Sequence, residues 1–388
     1  MIKRITDSPA VRAQKLAPLI LAAAEEIELT QDFPPAVFEQ IIYSGLLRLF
    51  LPKSLEGEEV SPSQYLEALI EIAKADGSVA WNMFVANSAC LLAPHIPFKT
   101  AKMIWSDPKA VIAWGPPDAQ KLQAVEGGYK VSGVWSFASG SRQATWMGAH
   151  GHVQEIDGSI RVNRQGRPIT QTVLFRKDEV TLLNDWHPMG LRGTSSGSYS
   201  VENVFVPEDQ SGTRETPECR RDPGRLFAFP MQGLYAVGVM GCALGLASAM
   251  MEDFHRLAVA KTPRGRGRLA DDKLTQAKFA QHHASLRAAK SFADQTLSKL
   301  YNEAPNEGAI GLKERASVRL ICSHGIQASV AAADWVHRAA GVSAIFPESP
   351  FERRFRDIHT LSQQIQSRVA HFEAVGEILL GGQPEVFF

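Results

Sequence analysis

Residues Gly127 to Gly140 read GGYKVSGVWSFASG, and this stretch decides how the rest of the chain is read. Paired glycines at 127 and 128 predict a tight two-residue turn, because both tolerate positive φ, and the alternating residues after them predict the returning strand of a hairpin. On a period of two, Tyr129, Val131 and Gly133 share one face and Lys130, Ser132 and Val134 the other. The same count puts Trp135, Phe137 and Ser139 together at the strand's end. Two rings and a hydroxyl on one face can wall a flat heteroaromatic ring and hydrogen-bond to its edge, with Gly140 leaving room for close backbone approach. The pattern equally suits a core strand that carries two aromatics.

Around this hairpin, residues 111–206 are rich in β-branched residues and glycine-bounded turns. Strands are expected over 110–114, 121–125, 129–136, 145–153, 170–175, 180–183 and 199–206, with an exposed connector over 207–223. Ahead of the sheet the period is helical. It predicts helices over 9–26 and from Pro34-Pro35 to Tyr43, an extended apolar segment over 45–52, and a helix over 61–75. A helix from Val79 to Asn87, apolar nearly all round, belongs in the interior, with His95 just beyond it and a short helix over 98–105. Behind the sheet, helices over 233–260, 274–300, 312–340 and 351–380 are of similar length and suggest an antiparallel bundle, the first carrying small residues that admit a close neighbour. The fold class expected is α+β: an N-terminal helical domain (1–109), a middle antiparallel β domain (110–225) and a C-terminal four-helix bundle (226–388).

A chain of 388 residues can bury ample apolar surface. Its 41 basic and 41 acidic residues argue against a nucleic-acid or membrane-surface binder that relies on bulk charge. Cys90, Cys219, Cys242 and Cys322 are scattered, which suggests neither a disulfide framework nor a zinc site and fits a reducing cytoplasm. No signal core opens the sequence, and no stretch is expected to reach the roughly 18 uncharged apolar residues of a membrane span. His282 and His283 are adjacent on a helix and diverge by about 100°, so no metal site follows.

The order of helices, sheet and bundle, with particular words, resembles the acyl-CoA dehydrogenase superfamily of flavoproteins over essentially the whole chain. Those words are LLRLFLP (46–52), the hairpin at 127–140, HPMGLRGTSSG (187–197) with VFVP (204–207), and Phe355-Arg-Asp357. WSFASG followed by Trp146, together with Ser349-Pro350 and the Gln363-Gln364 pair, looks most like the oxygenase components of two-component flavin monooxygenases, such as 4-hydroxyphenylacetate hydroxylase, and like dibenzothiophene monooxygenase. That resemblance implies FMN or FAD, reduced by a separate flavin reductase, an oxygen adduct of the flavin that transfers one atom to an apolar or aromatic small molecule, and a homotetramer or homodimer. It places Trp135, with Phe137, near the flavin ring and Ser139 at its reactive edge. The helix carrying Trp81 and Asn87, and the Trp114-Gly-Pro-Pro loop, become the walls, the helix on the substrate side. Gln276 resembles a position near the cofactor, and Gly341 lies where the family has a turn that reaches a neighbouring subunit's cofactor, although it also suits a simple helix cap.

Arg264 and Arg266, with Arg268, concentrate guanidiniums that match phosphate oxygens, or else form a solvated loop. His359 and Gln363 are four apart on one helix face, in the region where the oxygenases place a substrate-side base. The usual histidine aligns with Gln364, which cannot act as a base, and another family histidine aligns near Ala89; His359 and His95 are the candidates to compensate. Two rival readings stand beside the oxygenase: an acyl-CoA dehydrogenase with Glu348 as its base, and a flavin-binding protein without turnover.

Overall fold

A computed structural model describes residues 6–116, 120–163, 166–213 and 219–384. Five helices come first: α1 (Pro9–Thr30), α2 (Pro35–Tyr43), α3 (Pro62–Ala75), α4 (Gly77–Cys90) and α5 (Phe98–Trp105). Ser61 and Gln64 form a reciprocal capping box that starts α3, and the Asp76 carboxylate accepts from Val79 N to start α4. α4 is buried along its whole length except at Trp81, as its lack of a polar face requires.

The segment over 45–52 is not extended. It opens with a 3-10 turn, Leu46–Arg48, and runs on to Phe50 around the Asn87 side chain, with a second 3-10 turn, Lys53–Leu55, just beyond it. The Asn87 amide donates to Leu46 O (2.7 Å) and Met83 O (2.8 Å) and accepts from Phe50 N (3.3 Å). A fully satisfied buried amide pins backbone; it has nothing left for a substrate.

Eight strands follow: β1 (Ile112–Trp114), β2 (Lys121–Val125), β3 (Gly128–Trp135), β4 (Trp146–Gln154), β5 (Thr170–Arg176), β6 (Thr181–Leu182), β7 (Tyr199–Pro207) and β8 (Ser211–Gly212). They form one sheet in the order β6-β7-β3-β2-β4-β5-β8, with β1 and β2 end to end along one edge of β4. Both of those contacts are parallel, so the sheet is mixed rather than wholly antiparallel. The β2–β3 hairpin is present, but its turn is Glu126-Gly127, because Val125 already pairs with Gly128. Gly127 has φ +78°; Gly128 sits inside the ladder, where a Cβ would meet Val206 O at 2.1 Å.

Behind the sheet come α6 (Met231–Ala260), α7 (Lys273–Glu303), α8 (Leu312–Ala340), α9 (Pro350–Leu361) and α10 (Ala370–Leu379). The single helix expected over 351–380 is broken into α9 and α10 by a turn at Ile365–Ser367, where the Gln364 side chain accepts from Gln366 N (2.6 Å). α6 is the axle of the molecule, packing on α3, α4, α8 and α9. Its small residues allow this: a Cβ at Gly238 would lie 2.7 Å from the Phe84 ring, and one at Gly245 2.5 Å from Ala73 Cβ. Contrary to the sequence expectation, α6 is long and apolar enough to cross a membrane, yet 89% of its most apolar window is buried within the protein. It is the buried helix against which α3, α4, α8 and α9 pack.

Candidate active site

β3 ends at Trp135, and the alternation ends with it. The Trp135 ring is 1% exposed, stacks on Tyr199 at 5.6 Å and donates through Nε1 to His150 O (2.9 Å), all within the sheet's own core. Phe137 takes φ +60°, turns outward at 62% exposure and meets only the edge of Trp186 at 6.2 Å. Ser139 turns inward again. The expected shared face of Trp135, Phe137 and Ser139 is therefore absent, because a strand's period does not survive a left-handed residue.

What replaces it is a hydroxyl chain between the sheet and α4. Trp81 Nε1 donates to Ser139 Oγ (3.1 Å), Ser139 Oγ shares a hydrogen with Ser196 Oγ (2.6 Å), and Ser196 Oγ shares one with Thr194 Oγ1 (2.6 Å). Thr194 Oγ1 donates to Leu191 O (2.7 Å), and Leu191 N donates to the Asp357 carboxylate (2.6 Å) on α9. The backbone of Ala138 and Gly140 is pinned to the same loop, Ala138 N to Gly197 O (3.0 Å) and Gly140 N to Thr194 O (2.9 Å). Leu191 (φ +53°) and Ser195 (φ +51°) join Phe137 as non-glycine residues held left-handed around one hydroxyl. Such strain persists only where surrounding contacts over-determine it, and it gathers at sites of function.

Beside this chain lies Asn82, 6% exposed, with neither amide atom bonded to protein. Its amide carbon is 3.6 Å from where a Cβ would stand on Gly140. An orphaned buried amide, one donor and one acceptor side by side, matches a ring edge that alternates C=O and N–H. From Trp81 an aromatic seam runs along α4 and α6. Trp81 meets Phe84 edge-on at 4.7 Å, Phe84 meets Tyr235 at 5.2 Å, and Trp114 Nε1 donates to Tyr235 OH (2.9 Å). Trp114 in turn tilts over His150 at 4.9 Å. Pro117 of its loop lies outside the described residues.

Other expected site residues are elsewhere. His359 faces α8, where Nε2 bonds Asp334 Oδ1 at 2.9 Å; Asp357, two positions earlier and so about 200° around the helix, is the residue that faces the hydroxyl chain. His95 follows α4, about 13 Å of helix plus a turn beyond Trp81. Gln363 is exposed and bonds only Ser362, and Gln364 caps its turn, so neither is held toward the seam. Glu348 is an exposed loop carboxylate ahead of α9.

Arg264, Arg266, Gln276 and Gly341 are brought together, but at the far end of α6. Lys261 Nζ, at that end, donates to Ala340 O (2.7 Å) and Ser343 Oγ (2.9 Å) beside Gly341, whose φ of +58° caps α8, and the arginine loop follows Lys261 directly. Gln276 is exposed and its Nε2 bonds Ala270 O (2.9 Å). From Gly238, against which the Phe84 ring packs, to Lys261 is about 35 Å of helix, beyond the span of one FMN. Asn82, Tyr235, Thr194, Ser196 and Asp357 were not named as site residues from sequence, although Thr194, Ser196 and Asp357 fall within the quoted family words; at Asn82 the signal was an amide, one of two with Asn87, in a helix apolar nearly all round.

Helices, a mixed sheet and further helices meet along this seam of rings and hydroxyls in an α+β architecture. Two family models match the chain, the acyl-CoA dehydrogenase N-terminal domain over residues 12–98 and the acyl-CoA dehydrogenase C-terminal domain over 237–368, together more than half of it. The chain belongs to the acyl-CoA dehydrogenase superfamily. It is 28% identical to an indole-3-acetate monooxygenase of Acinetobacter baumannii, over 94% of this chain and 91% of that one. It is 23% identical to the oxygenase component of an FADH(2)-dependent resorcinol hydroxylase of a Rhizobium species, over 96% and 94%. Among solved structures, XiaF from a Streptomyces species, in complex with FADH2 and glycerol, superposes with a TM-score of 0.87 at 22% identity, covering 98% of this chain and 96% of that one.

Proposed function

We propose that this protein is the oxygenase component of a two-component flavin-dependent monooxygenase, taking reduced FMN or FAD from a separate reductase and acting on an aromatic small molecule. The observation that carries this reading is the hydroxyl chain that ends on Ser139 beside the unpartnered amide of Asn82. The names of the relatives support it, and the residues present fit a flavin ring edge. A reduced flavin held here supplies, with O₂, the oxygen atom that reaches the substrate.

The chain's own residues hold and shield. Because Thr194 donates to Leu191 O, Ser196 donates to Thr194 and Ser139 to Ser196. Ser139, which also accepts from Trp81, therefore keeps one lone pair to accept an N–H of the ring edge; Asn82 would bond the neighbouring edge, and Phe137 offers an open aromatic face to a flat ring. Trp81, Phe84, Tyr235 and Trp114 exclude water, which would otherwise divert the oxidant to hydrogen peroxide. Trp135 supports the floor from within the sheet and touches no ligand.

The dehydrogenase reading loses its base, because Glu348 is solvated and the Asp357 carboxylate, at the far end of the hydroxyl chain, is bound to Leu191 N. Arg264, Arg266 and Gly341 bind the phosphate of a flavin held by another copy, and the exposed Val342, Ile345 and Phe346 beside Gly341 are the contact that brings that copy. A homodimer or homotetramer follows, divided as 1–109, 110–225 and 226–388. Four free cysteines suit a reducing cytoplasm.

Ser139→Ala tests the reading. With pre-reduced flavin, O₂ and an aromatic substrate, losing one hydrogen bond in a dry site costs about 1 to 3 kcal/mol, so peroxide release should rise steeply at the expense of product while flavin still binds. An unchanged peroxide-to-product ratio removes Ser139 from the mechanism. Flavin reduction by an acyl-CoA ester without O₂ would replace the oxygenase with a dehydrogenase.

A further inference from the structure

Arg319, Ser323 and Gln327 are four residues apart along α8 and share one face. The two outer ones grip the connector after α9: Arg319 Nη1 donates to Gln366 Oε1, and Gln327 Nε2 donates to Ser367 O (3.1 Å). Between them Ser323 is 1% exposed and its hydroxyl has no partner. The Arg319 side chain is 3% exposed and forms no ion pair with any described carboxylate; only its Nη1 has a described acceptor, and Nε and Nη2, unlike the Ser323 hydroxyl, are not sealed from solvent, which leaves the fork a narrow way in. Burial pushes this guanidinium down from its ordinary value, with Cys322 the only group opposing it.

The neighbouring amides are fixed by the same cation. Gln366 must turn its oxygen to Arg319, so its Nε2 donates to Gln232 Oε1 (2.6 Å), and that in turn leaves the Gln232 amide nitrogen free to donate. Gln232 is in the first turn of α6, where Gly233 N and Leu234 N donate to Pro230 O and the Met231 and Gln232 amides have no described backbone acceptor. Every free group in this nest is a donor or a cation: the Arg319 fork, the Ser323 hydroxyl, the Gln232 amide and the positive end of α6. A buried collection of that kind lacks only an anion.

The nest adjoins the aromatic seam. Gln232 and Tyr235 are three apart on α6 and so lie on one face, separated by about 4.5 Å of rise, and Tyr235 is the residue on which Phe84 and Trp114 converge. We infer that this nest is a carboxylate site, and that the substrate class is an aromatic acid whose ring lies on the Tyr235–Trp114 end of the seam and whose short side chain reaches Arg319. The ring's placement rests on the oxygenase reading; the anion site does not.

Calorimetry on the purified full chain separates the two. Phenylacetate and indole-3-acetate, each compared with its carboxamide, differ in charge at nearly constant shape. Wild type should bind each acid at least about tenfold more tightly than its amide, and Arg319→Gln should weaken the acids by at least about thirtyfold while amides and FMN stay within about threefold. Equal binding of acid and amide by wild type, or no binding of either acid, overturns the site. So does an Arg319→Gln variant that loses FMN more than acid, since the anion would then be a flavin phosphate. Should Arg319→Gln fail to fold, Arg319→Lys keeps the charge without the fork and should lose part of the acid preference, while the wild-type comparison stands alone. Acid preference without product formation retains the site and sinks the oxygenase reading; product formation from amides and acids alike does the reverse.

Discussion

The Asp357 carboxylate accepts the Leu191 backbone N–H at 2.6 Å, and through that one bond the last part of the chain reaches the hydroxyl chain that ends on Ser139. Burial pushes the Asp357 carboxyl up to about 7, with the nearby Asp76 adding to the shift. The folded chain thus holds this proton more tightly than the unfolded one. Its stabilising contribution is complete below about pH 4 and is lost as pH rises through about 7. Asp357→Asn keeps an acceptor for Leu191 and cannot ionise, so it should flatten the fall of Tm with pH across that window. Identical slopes in thermal scans of variant and wild type would show that another group controls it.

Trp135 and Phe137 are two residues apart and should respond oppositely. Trp135→Ala opens a cavity in the sheet core and is expected to cost about 3 to 5 kcal/mol in urea unfolding. Phe137→Ala removes an exposed ring and should change stability by about 0.5 kcal/mol or less while weakening flavin binding. Equal destabilisation would mean that Phe137 packs as Trp135 does.

The arginine loop makes a prediction about salt. Replacing Arg264 and Arg266 with glutamine should weaken flavin affinity, and added salt should weaken the wild type toward the variant, since both side chains are exposed and screened. Titrations that coincide at every salt concentration would leave the loop simply solvated.

His359 faces away from the hydroxyl chain, so His359→Gln should leave single-turnover oxygen transfer within about tenfold even with phenols, which gain most from a base. Its bond to the half-exposed Asp334 contributes about 1 kcal/mol or less. A loss of activity confined to phenols would bring His359 back into the mechanism.

The seven expected strands and most of the helices were legible because period and punctuation are local, down to β2 at Lys121–Val125, while the break at Ile365–Ser367 in the last helix and β8 inside the expected connector were not. What was not legible depends on chain reversal. Phe137's left-handed backbone breaks the alternation that would have carried Trp135 and Ser139 to one face, and nothing in its residue type announces that. Asn87 was drawn to the substrate by its place on a buried helix, whereas its amide is consumed by Leu46, Phe50 and Met83, residues distant in sequence or hidden in the same helix. His359 and Asp357 are two positions apart on α9, and only the neighbours of that helix decide which one looks toward the sheet.

Gly190 has no room for a side chain. A Cβ there would stand 2.3 Å from the Arg356 carbonyl, and Arg356 also donates to Met189 O at 2.8 Å, so the loop that aligns Ser139 rests directly on the backbone of α9. Heat that merely loosens α9 would therefore disturb the oxygen chemistry while the sheet and α6 are still intact. On the oxygenase reading, such a protein would release more peroxide per product as α9 loosened rather than simply lose activity.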